Sequence, residues 1–136
     1  MKTIFTLGLC IAVVFYAEAV FPESDEICCT WVNTSYTAGA PPQKLIHNFD
    51  GTFASYTTKD STDAPKLGTF RIVKKWKDSE GNIWYQIEIQ GAGVEKEHEL
   101  AKISDDGNLL EYVFKQGEYP IEINPSDSNY RKYTRE

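Results

Sequence analysis

The sequence predicts an all-β protein: an eight-stranded antiparallel up-and-down β-barrel behind an N-terminal signal peptide. Three observations predict it. Aromatic residues make up 13% of the 136, with 8 Tyr and 7 Phe against a single Met, and such side chains pack well on a pleated sheet. Turn signatures recur at regular spacing between β-rich runs, while no convincing amphipathic helix is written anywhere. About eight short strands joined by sequential hairpins close most simply into a barrel, which removes the exposed edges of a flat sheet.

Residues 1–19 read as the signal peptide. Lys2 supplies the positive end, Ile4 to Tyr16 the apolar core, and Ala17-Glu18-Ala19 the small-x-small cleavage form. The apolar run is short for a membrane span, so no transmembrane span is expected after cleavage, and the mature chain is expected to be secreted or periplasmic. Residues 20–27, with Pro22 and three acidic side chains, read as an exposed lead-in. The barrel domain is expected over 28–136.

The first strand is expected at 28–34 and includes Cys28, Cys29 and Trp31. Adjacent cysteines rarely bond each other, and with Cys10 gone in the leader no third cysteine remains, so this is not a disulfide scaffold. Asn33-Thr34-Ser35 is a glycosylation sequon, meaningful only in a host that glycosylates exported proteins. Residues 35–42 form a Pro- and Gly-containing loop, expected over one mouth of the barrel. Lys44 to Phe49 and Thr52 to Thr57 flank Asp50-Gly51, a strong hairpin signal. Strand four runs from Gly68 to Trp76, and Lys77 to Asn82 is a second hairpin turn. Strand five, Ile83 to Gln90, alternates cleanly, with Ile83, Tyr85, Ile87 and Ile89 on one face and Trp84, Gln86 and Glu88 on the other. Glu95 to Ile103 is the most polar strand, and its Glu97 and Glu99 share the face opposite His98. Two acids on such a strand read first as solvated. Ser104 to Asn108 turns into Leu109 to Lys115, and Tyr130 to Arg135 closes the chain.

Composition excludes several functions. The formal net charge is −6, which repels phosphate backbones and argues against nucleic acid. The two histidines, His47 and His98, fall on separate strands with no spacing to the cysteines, so no metal site is expected. Cys28 or Cys29 with either histidine is the only formal nucleophile–base pair, and nothing brings them together. No catalytic residues, no cofactor and no enzymatic activity are expected.

The short motifs add a resemblance. Thr30-Trp31-Val32-Asn33 near the start, Asp50-Gly51-Thr52-Phe53, Gly68-Thr69-Phe70 and the closing Asn129-Tyr130-Arg131-Lys132-Tyr133 resemble the calycin superfamily, and within it the small bacterial lipocalin-like domain proteins. The resemblance spans nearly the whole mature chain. Lipocalins carry Gly-x-Trp on the first strand. Here Cys29 holds the glycine position and Trp31 the tryptophan. The resemblance implies a lipocalin-like barrel closed by a late basic residue across Trp31, with Arg131 as the first choice and Lys132 or Arg135 as alternatives.

An eight-stranded barrel either fills with side chains or holds one small ligand. The aromatic excess favours a small apolar or amphipathic ligand, with Phe49, Phe53, Tyr56, Phe70, Tyr85, Tyr112 and Phe114 as candidate contacts. The second expectation is a protein-interaction or structural module of the cell envelope with a filled barrel, since Trp84 falls on the outer face. The oligomeric state is left open.

Overall fold

Hairpins of one kind build most of the molecule. In a computed structural model, described over residues 25–33, 42–57, 64–91 and 95–136, eight strands follow in order: β1 (Thr30–Val32), β2 (Lys44–His47), β3 (Thr52–Tyr56), β4 (Lys66–Lys77), β5 (Ile83–Gly91), β6 (Glu97–Ile103), β7 (Leu109–Gln116) and β8 (Tyr130–Arg135). Each pairs antiparallel with the next, and β1 pairs with β8 to close an up-and-down barrel. The expected signal peptide, residues 20–24 of the lead-in and most of the 35–42 loop lie outside the described residues.

Three tight turns cluster at one end, and all three use four residues ending in glycine. The Gly51 N–H donates to the Asn48 carbonyl (3.1 Å), Gly81 to Asp78 (3.1 Å) and Gly107 to Ser104 (2.8 Å). A polar side chain ties each turn down. Asp78 Oδ1, for example, accepts from the backbone N–H groups of Glu80 (2.9 Å) and Asn82 (3.0 Å). Gly81 sits at φ +89°, a left-handed conformation that a Cβ would strain. The Asp50-Gly51 hairpin therefore differs from the two-residue expectation. Strand β2 stops at His47, and Phe49 becomes part of the turn, 52% exposed.

Side chains alternate between lumen and surface except at one point. The register of β4 on β5 slips between Ile72 and Lys74, a bulge at Val73. Before it Phe70 and Ile72 face inward, paired with Ile89 and Ile87. After it Lys75 faces inward, paired with Tyr85, and Trp76 faces out against Trp84. Without the bulge Trp76 would have entered the lumen and Lys75 the solvent.

The lower half of the barrel is packed solid around Trp31, Tyr85, Ile87, Ala101, Ile103 and Tyr133. The residues just before β1 plug that end. Far from forming an exposed lead-in, Asp25 and Ile27 are buried, because the barrel supplies partners for both. The Trp31 indole donates to the Ile27 carbonyl (3.1 Å). Asp25 accepts from the Ile27 N–H (3.0 Å), the Tyr85 hydroxyl (3.1 Å) and Lys75 Nζ (2.9 Å). The strand expected from Cys28 begins only at Thr30. Cys28 and Cys29 lie in the turn leading to it, both as free thiols partly buried against the core. Burial and the nearby Asp25 carboxylate push Cys28 up to about 11.

Arg135 provides the closing cation over Trp31, not Arg131. Trp31 pairs in register with Arg135, whose guanidinium lies 5.4 Å from the indole centre and donates through Nε to the Gly107 carbonyl at 3.0 Å. Arg131 sits four residues earlier, about 13 Å along the strand, and covers Phe114 at 5.0 Å instead.

Candidate functional site

Above the packed half, the barrel opens into a cavity of about 540 Å³. Its floor includes Ile27, the same residue that seals the plug. Leu45 of β2, Phe53 of β3, Ile89 of β5, and Leu110 and Phe114 of β7 supply an apolar wall. Pro42, Lys66, Leu67 and Glu95 line the strand ends opposite the tight turns. Gly68 of β4 lies opposite Phe53 in register, and a Cβ on it would come within 2.5 Å of the Phe53 ring and 2.6 Å of the Gln90 carbonyl.

Polar groups interrupt that wall on opposite sides. Strand β6 presents Glu97 and Glu99 to the cavity, because Ala101 and Ile103 of the same parity face the core below. Glu99 is 8% exposed, and no hydrogen bond to it occurs among the described residues. Burial first, and the neighbouring Glu97 second, push its carboxyl up to about 8. Burial also raises Glu97, while the Arg131 charge pulls it back. Glu99 is therefore a neutral acid at pH 7, able to donate a hydrogen bond or give up a proton.

Four strands away, His47 of β2 is 6% exposed. Its ring stands edge-on to Phe70 at 5.0 Å and stacks beside Phe53 at 6.3 Å. Its buried Nδ1 has no hydrogen-bond partner among the described residues, and burial drops it to about 4, so the imidazole is neutral. Tyr112 completes the ring of polar groups. It stacks on Tyr133 at 6.0 Å, and the Tyr133 hydroxyl donates to the Pro42 carbonyl at 2.9 Å.

The aromatic candidates divide three ways. Phe53, Tyr112 and Phe114 line the cavity. Phe70 and Tyr85 face inward but belong to the packed core, where Tyr85 is spent on Asp25. Phe49 and Tyr56 are not in the lumen. Phe49 rides the four-residue turn, and Tyr56 falls on the outer face, one residue after the inward Ser55, beneath Lys44 Nζ at 5.8 Å. Arg131, expected as a closure, lines the cavity instead.

Sequence reasoning missed Glu97, Glu99 and His47 as lining residues. A signal existed for the glutamates: Ile103 and Ala101 share their parity. Leu100, apolar and of the opposite parity, obscured it; it too is buried, although it lies outside the interior cluster. Comparison with protein-family models, curated proteins and solved structures finds no match in any of the three.

Proposed function

We propose that this chain is an exported, non-enzymatic, lipocalin-like binding protein that holds one small apolar or amphipathic molecule in its barrel. The observation that carries the reading is the contrast within one lumen: a packed core below Ile27 and a mostly apolar cavity of about 540 Å³ above it. A concave apolar site with a few placed polar groups is the usual form of a small-molecule pocket. Kinship with the calycins is part of the same proposal, supported by the up-and-down closure and by a tryptophan on β1 beneath a cation from β8.

The alternative, an envelope protein-interaction module, draws less support. The outward tryptophans serve each other: Trp76 and Trp84 stack at 6.1 Å, Lys74 and Lys102 cover them, and the Trp84 indole donates to Asp78 at 2.8 Å. Cross-strand pairing of this kind stabilises a sheet without a partner. The test is isothermal titration of the purified protein with eight-carbon amphiphiles, 1-octanol first. Saturable one-to-one binding that Phe114→Ala weakens is expected. Absence of binding to any member of the series defeats the reading.

A further inference from the structure

We propose that the cavity selects an amphipathic ligand bearing a protonatable amine, which it seats against Glu99 of β6 with the hydrocarbon part along Leu45, Phe53 and Phe114. The inference rests on the cavity reading and adds the chemical class of the ligand.

Two independent observations point to it. The first is the Glu99 carboxyl, buried in an apolar wall with no hydrogen bond from the described residues. Burying a carboxyl without a partner costs stability, and a ligand donor would satisfy it. The second is His47 across the lumen, buried and neutral, with an unbonded Nδ1. Both orphaned groups can accept an N–H or O–H from the same occupant. The cations of the cavity do not suit an anionic head equally well. Lys66 stands at the rim, and Arg131 is occupied by the carbonyls of Ser128 (3.0 Å) and Tyr130 (2.9 Å), by the Phe114 face and by the charge of Glu97.

Proton accounting is simple. At neutral pH the free amine is an ammonium ion and Glu99 is a neutral acid. On docking, the Glu99 O–H bond breaks, its proton leaves to solvent, and an ammonium–carboxylate pair remains. The groups near Glu99 that share this titration are Glu97 on β6, Tyr112 on β7, and Tyr133 and Arg131 on β8. His47 faces it from β2.

The experiment compares octylamine, 1-octanol and octanoate by titration calorimetry at pH 7.5. Octylamine is expected to bind about tenfold or more tighter than the other two, the size of one charge-assisted hydrogen bond. Glu99→Gln should erase that preference, bringing octylamine down to the affinity of 1-octanol. Equal affinities, or a preference for octanoate, overturn the amine inference while leaving the cavity reading in place. Binding of none of the three overturns both. If Glu99→Gln does not fold, the unsubstituted protein decides: octylamine affinity should rise from pH 6.5 to 8.5 relative to octanol, and a flat ratio overturns the proposal.

Discussion

The two ends of this barrel hold similar residues and treat them oppositely. At the plugged end the buried polar groups among the described residues have partners. Asp25 meets Lys75, Tyr85 and a backbone N–H; Trp31 meets the Ile27 carbonyl; Arg135 meets Gly107 and the Trp31 face. Facing the cavity, Glu99 and His47 are nearly as buried, yet among the described residues no hydrogen bond reaches the Glu99 carboxyl and the His47 Nδ1 has no partner. Unsatisfied buried groups are rare in folded proteins and call for a reason. The difference teaches that one end closes the cylinder on itself, while the other leaves polar groups facing a cavity, the contrast on which the proposed ligand site rests.

Substitutions at each end sharpen or break that contrast. Trp31→Ala should have the largest effect, about 3–5 kcal/mol by urea denaturation, because the indole is wholly buried and its N–H is bonded. A loss below about 1 kcal/mol would remove Trp31 from the role of closure. Lys75→Ala should cost about 1–2 kcal/mol. It strips Asp25 of its counter-charge, but the lysine side chain keeps 39% of its surface in solvent, which screens the pair below the value of a fully buried one. Phe114→Ala at the open end should cost about 1 kcal/mol or less, since the ring faces a cavity and not a packed core. Its effect should fall on octanol binding instead. Equal destabilisation by Trp31→Ala and Phe114→Ala would erase the distinction between the ends.

A further contrast is one of pH. Glu99 has a folded value near 8 against an ordinary 4.5. The folded state therefore holds its proton more tightly, and the resulting stability is full below about 4.5 and is lost as pH rises through 8. His47 works in the other direction. Its folded value near 4 lies below the ordinary 6.5, so its contribution is present above 6.5 and lost as pH falls through 4. Together these two produce a plateau between about 4.5 and 6.5. Glu99→Gln should remove the decline from 6.5 to 8 in melting experiments and turn the plateau between 4.5 and 6.5 into a rise with pH carried by His47 alone. An unaltered alkaline decline would mean that Glu99 is not the group responsible.

Much of the barrel was legible in the chain. The alternation of Ile83, Tyr85, Ile87 and Ile89 assigned the inner face of β5 without help, and turn chemistry at Asp50-Gly51, Lys77 to Asn82 and Ser104 to Asn108 located three hairpins. What local pattern could not supply was register. Whether Asp50-Gly51 closes a two- or a four-residue turn is decided by the ladder between β2 and β3, and it moves Phe49 from wall to surface. Arg131 and Arg135 have the same parity on the same strand, and only the pairing of Trp31 with Arg135 chooses between them.

By itself, then, the sequence determined the number of strands, their order and most of their ends, because period-two alternation and turn residues are local properties. The tertiary structure alone decided which polar groups enter the lumen. The bulge at Val73 turns Lys75 inward to meet Asp25, and closure of the cylinder encloses the face of β6 that carries Glu97 and Glu99. Both outcomes depend on long-range pairing, in which a slip of one residue carries every later side chain to the other side of the wall.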